Sequence, residues 1–102
     1  MITEEQHLLI KLSEEAVEVA LELSKRIHKT MLFGLDETDI KRLDGPNNRE
    51  CIVNELNDLY GIAEMLVEEG TLPKDWLSRD KIEARKLKVR KYMEHARNVG
   101  GL

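Results

Sequence analysis

KLSEEAVEVALELSK, residues 11–25, is the stretch on which the fold turns. Its apolar positions recur at intervals of three and four, the rhythm of a helix wound at about 100° per residue. Followed in both directions, they become one wide face of Leu8, Leu9, Leu12, Ala16, Val19, Ala20, Leu23 and Ile27, the expected core face. Ile10, Val17 and Leu21 form a second, narrower apolar stripe, and Glu14, Glu15, Glu18 and Glu22 lie between the two. An acidic strip with apolar borders on both sides is expected to line a groove against another helix or another chain. It also reads as a solvated face with Lys11 and Lys25 as helix-spaced partners.

Outward from this segment the signals remain helical. Thr3 followed by Glu4, Glu5 and Gln6 is close to a capping box. The periodicity runs to Phe33, and Gly34 stops it. Asp36 to Leu43 reads as one or two short helical turns, and Asp44-Gly45-Pro46-Asn47 as a turn. Asn47 or Asn48 caps a second long helix to about Glu69, with Gly70 as its stop. Thr71-Leu72-Pro73 is a connector, and Ser78 caps a last helix to about Asn98. No alternating strand pattern exceeds three residues. The expectation is an all-α single domain over residues 1–102, with two long helices, a short connector piece and a C-terminal helix.

Composition narrows the function classes. The chain has 102 residues, 41% hydrophobic and 35% charged, so its core is small and association with other copies is a natural source of stability. Four aromatic residues argue against a ring-rich β-sandwich. A net charge of −4 argues against a protein built to coat nucleic acid. The charge is segregated, with net −9 over residues 1–73 and net +5 over residues 74–102. Carboxylates that hold cations beside a basic end that meets phosphates would explain this, as would a basic helix packed beside acidic ones. Cys51 is the one cysteine, so no intrachain disulfide forms. With no secretory signal and no long apolar run, a cytoplasmic location with no membrane contact is expected.

The second long helix carries the sharper signal. Ile52, Leu56, Leu59, Ala63, Leu66 and Val67 define its apolar face, yet Glu55 projects within that arc and Asp58 borders it. Carboxylates on a core side are costly unless paired or metal-bound. Glu55-x-x-Asp58 places both acids one turn apart on one face, and Glu15-x-x-Glu18 does the same on the first helix. Antiparallel packing would bring four carboxylates together, an oxygen-donor set suited to Mg²⁺ or Mn²⁺. The competing reading pairs Glu55 with a lysine of the basic helix. His7, His28 and His95 lack the spacing of a di-iron bundle and read as surface residues, and Cys51 as a small, partly buried one. No glycine-rich phosphate loop is present.

KLSEEAVEVALELSK and NELNDLYGIAEML (54–66) together resemble the MazG-like branch of the all-α NTP pyrophosphatase superfamily. That superfamily is marked by EExxE on one helix, here Glu14, Glu15 and Glu18, and ExxD on the next, here Glu55 and Asp58. MLFGLDE (31–37), GPNNRE (45–50) and the basic segment from Lys81 to Gly100 resemble a small phage and bacterial subgroup, so the likeness covers nearly the whole chain. One departure is the 36 residues between the two motifs, longer than in compact MazG domains, which leaves substrate preference open.

The resemblance implies a MazG-like helical bundle that hydrolyses a nucleoside triphosphate to monophosphate and pyrophosphate with Mg²⁺, Mn²⁺ being a substitute. It implies Glu15, Glu18, Glu55 and Asp58 as metal ligands and Glu14 as an outer residue or general base. Lys29, Arg49, Lys81, Arg85 and Lys88 are candidate phosphate contacts, and Asn54 and Asn57 candidate nucleotide contacts; a surface role is open for each. Relatives of this kind work as homodimers or homotetramers, and the Ile10/Val17/Leu21 stripe is the feature that would serve such an interface. Two readings from other classes stand beside this one. The first is a helical module that binds nucleic acid through its basic helix. The second is a catalytically degenerate relative acting as a structural or regulatory partner.

Overall fold

The computed structural model describes residues 1–38 and 44–102. Three helices account for most of them: α1 (Glu4–Phe33), α2 (Asn48–Glu68) and α3 (Arg79–Asn98). They fall into two compact units, Met1–Leu72 and Pro73–Leu102. Among the described residues there is no strand, only a single antiparallel bridge between Thr38 and Asn47. No helix among them is long and apolar enough to cross a membrane.

Local chemistry sets the helix ends. At α1 the capping box is complete: the Gln6 amide donates to Thr3 Oγ1 at 3.1 Å, and the Thr3 amide donates to Gln6 Oε1 at 3.0 Å. Gly34 ends α1 with φ 94°, a conformation that L side chains rarely adopt, and its amide donates to Thr30 O at 2.8 Å. Asn47 caps α2 by accepting from the Glu50 amide at 2.8 Å, which leaves Asn48 for another task. Ser78 caps α3 by accepting from the Lys81 amide at 3.2 Å. The expected turns over Asp36–Leu43 fall partly at 39–43, outside the described residues. The described part is a tight turn at Leu35-Asp36 that leads into the bridge at Thr38.

Within the first unit α1 and α2 pack against each other, antiparallel. Arg26 near the end of α1 meets Asn48 at the start of α2. At the other end Leu8 and Met65 line one open cleft with Ile2, Thr3, His7 and Glu69. The buried and half-buried residues of α1 are Leu8, Leu12, Glu15, Val19, Glu22, Leu23, Arg26, Lys29 and Thr30. On α2 they include Asn48, Ile52, Glu55, Leu59, Ile62, Ala63 and Leu66. The recurrence at steps of three and four is the spacing of a helix–helix seam.

That seam corrects the core faces expected from sequence. Leu8 and Val19 are buried, but Leu9, Ala16, Ala20 and Ile27 of the wide α1 face are exposed, and so is Leu56 of α2. The apolar arc of α1 is wider than one neighbouring helix covers. α2 contacts the edge of it that borders the acids, and the far edge is left outside.

Candidate functional site

The same seam decides where the acids go. Winding both helices at about 100° per residue from the contact line puts the acidic strip of α1 and the Glu55-x-x-Asp58 pair of α2 on one edge. The uncovered apolar arcs, Leu9, Ala16, Ala20 and Ile27 with Leu56 and Tyr60, turn to the opposite edge. On the acidic edge Glu15, Glu22 and Glu55 are half-buried, and Glu18 and Asp58 are exposed.

The acids of the two helices act on one another electrostatically. The Glu55 carboxyl is held above its ordinary value of 4.5. Partial burial is the largest cause, followed by the negative charges of Asp58, Glu22, Glu15 and Glu18. Glu15, Glu18 and Glu22 of α1 are therefore near enough to act on Glu55 of α2, as is Asp58 beside it, without forming a closed ligand set. Glu14 does something different. It is exposed and accepts from Lys11 Nζ at 3.0 Å. Lys11 is raised above 10.5 by that hydrogen bond first, then by the Glu14 charge, against a small loss from burial, with Glu18 and Glu15 adding to the rise.

The donors are all carboxylate oxygens, the chemistry that suits a hard dication and not a thiolate- or imidazole-seeking metal. As positioned, no three His, Cys, Asp or Glu side chains among the described residues converge closely enough to hold an ion. Closing a set around one requires rotation of flexible glutamate side chains.

Arg26 and Asn48 are part of this seam; the sequence marked Asn48 only as a candidate helix cap and Arg26 not at all. The Asn48 side chain is 2% exposed. Its Nδ2 donates to Gly34 O at 2.9 Å, and its Oδ1 accepts from Arg26 Nη1 at 3.5 Å. The Arg26 side chain is 12% exposed, and its Nε lies 3.8 Å from Glu22 Oε2. That Nε is buried and makes no hydrogen bond. The available signal was positional: an arginine stands on the heptad rhythm of α1 where an apolar residue is expected, one turn after a glutamate.

The candidate phosphate and nucleotide contacts are dispersed. Lys29 is half-buried on α1. Arg49 opens α2, with Nε 3.3 Å from Asp36 Oδ1. Asn54 is exposed on α2, and Asn57 donates back to Val53 O at 2.8 Å, an ordinary helix-surface bond. Lys81, Arg85 and Lys88 are exposed on α3, in the second compact unit. His7, His28 and His95 are exposed, and Cys51 is half-buried. No family model, no curated protein and no solved structure matches the chain.

Proposed function

We propose that this chain is a divalent-cation-dependent nucleoside triphosphate pyrophosphohydrolase of MazG-like type. What supports the reading is the shared acidic edge, where Glu55 is crowded by Asp58, Glu15 and Glu18 across an antiparallel helix pair. These four are the residues that the motif resemblance assigns as ligands. A triphosphate is strongly anionic, and an acidic edge accepts it only when dications stand between them. Mg²⁺ bound there would neutralise the phosphates, stabilise charge in the transition state and acidify a water. The chain's own residues supply the rest: Glu15, Glu18, Glu55 and Asp58 hold the cation, and Glu14 lies outside that set to orient a water. Within the same unit Arg49 and Lys29 are the cationic side chains offered to phosphate, and Asn54 the amide offered to the nucleotide. The working form is a homodimer or homotetramer, since exposed Ile10, Val17 and Leu21 present an apolar stripe on α1.

The test is pyrophosphate release from a panel of ribo- and deoxyribonucleoside triphosphates with Mg²⁺. Wild type is expected to release pyrophosphate and the matching monophosphate in equal amounts, and Glu55→Gln to lose at least about 100-fold, more than one ordinary hydrogen bond supplies. No release from any nucleotide, with Mn²⁺ tried as well, would overturn the reading in favour of a non-catalytic relative.

A further inference from the structure

Apart from Glu14, which pairs with Lys11, five carboxylates share the acidic edge, and they are not equivalent. Glu22 has the same chemistry as Glu15 and Glu18 and acts on Glu55 as they do. It differs in its neighbour. Arg26, one turn further along α1, carries a guanidinium with its Nε 3.8 Å from Glu22 Oε2. A guanidinium stays charged at any physiological pH, so it cannot escape burial by losing its proton. With its side chain 12% exposed and its Nε without a hydrogen bond, it depends on a nearby anion for compensation. Asn48 holds the other end of the same group through Nη1, and Asn48 is itself pinned to the Gly34 carbonyl. Arg26 is therefore fixed from the α2 side, and among the described residues the anion within its reach is Glu22.

We propose that Arg26 is a positioning residue that reserves Glu22 as an internal counter-ion, and so keeps it out of the cation-binding set of Glu15, Glu18, Glu55 and Asp58. The inference rests on the cation site of the preceding section. Its physical content is a division of labour: one arginine neutralises one of five acids, and the remaining four keep their negative charge for a dication. The arrangement also ties the site to the α1–α2 register, because the arginine that sorts the acids is anchored at the first residue of α2.

The experiment is Mn²⁺ binding to the full chain, read as loss of the free-ion electron paramagnetic resonance signal and by calorimetry. The variants are Arg26→Gln, Glu22→Gln, the double variant and Glu55→Gln. An Arg26 charge removed about 10 Å from a dication, at an effective dielectric of about 40, tightens binding by about tenfold. Glu22→Gln leaves Arg26 uncompensated and weakens binding by a similar factor. The double variant returns to within about threefold of wild type, because it removes a neutral pair. Glu55→Gln loses far more than any of these.

Two outcomes overturn the proposal while the cation site stands: Glu22→Gln losing as much as Glu55→Gln, or the double variant binding as weakly as Glu22→Gln alone. Either would make Glu22 a ligand. Wild type that binds no Mn²⁺ would overturn the cation site and this inference with it. Should Arg26→Gln not fold, Arg26→Lys keeps the charge without the fork to Asn48, and wild-type affinity in that variant supports the charge argument while a shift of about tenfold opposes it.

Discussion

Glu55 carries an energetic contradiction that a single substitution exposes. It is half-buried on a seam and near four other carboxylates, so its proton is held more tightly in the folded chain than in the unfolded one. The sign of the linkage follows. A carboxyl raised on folding binds its proton more tightly in the native state than in the unfolded one. Its contribution to stability is most favourable below about pH 4.5 and is lost as pH rises through the raised value. Glu55→Gln should therefore stabilise the protein at neutral pH in the absence of divalent ions. A like charge one helical turn away, here Asp58, costs about 0.2–0.5 kcal/mol, and with the α1 glutamates opposite the relief amounts to a gain of roughly 4 °C in melting midpoint. Adding Mg²⁺ should raise the wild-type midpoint and leave the variant where it was, since only the form that binds gains from mass action. Circular dichroism melts at pH 5 and pH 8, with and without Mg²⁺, check both statements; a variant that melts below wild type without Mg²⁺ would contradict the account. The motif spacing made Glu55 and Asp58 visible in the sequence. Glu22 was visible only as one more acid in a strip, because its separate role depends on which side chain packs beside it.

At the scale of the elements, the join between α1 and α2 is a polar one. Asn48 bonds the Gly34 carbonyl that ends α1 and the arginine that lies along it, and the Asn48 and Arg49 amides donate to Glu37 O and Leu35 O at 2.9 Å each. The connector is thus sewn to the first turn of α2. Asn48→Ala leaves a part-buried carbonyl and a part-buried guanidinium without that partner, at a cost of about 1–3 kcal/mol. A fall in the urea midpoint with an unchanged slope is the expected result; no change in midpoint would mean that water replaces the amide fully. Helix limits were legible here almost to the residue, because Thr3, Gly34, Asn47 and Ser78 act on their own neighbours. The buried role of Asn48 was not, since two adjacent asparagines are equivalent as caps until the chain on the far side of the turn is in place.

For the molecule as a whole, charge and apolar surface are both segregated. The acidic excess belongs to the unit Met1–Leu72 and the basic excess to Pro73–Leu102. In the first unit the acids take one edge of the helix pair and uncovered apolar side chains such as Leu9, Ile27 and Leu56 the other, while the separate Ile10/Val17/Leu21 stripe lies beyond the acids on α1, with Val17 and Leu21 at 58% and 67% exposure. If self-association covers that stripe, Val17→Glu with Leu21→Glu should lower the mass measured by light scattering and leave the helix content intact. An unchanged mass would place the contact elsewhere. Sequence alone determined the all-α class, the three helices with their caps, and the set of acids in the two motifs, because periodicity and capping are written in residues close along the chain. Tertiary structure alone decided which part of a wide apolar arc meets α2, and so which acids face each other and which cation stands among them. Rotating α1 by a fraction of a turn changes those answers without altering its helical pattern, and only contact with a second helix fixes the rotation.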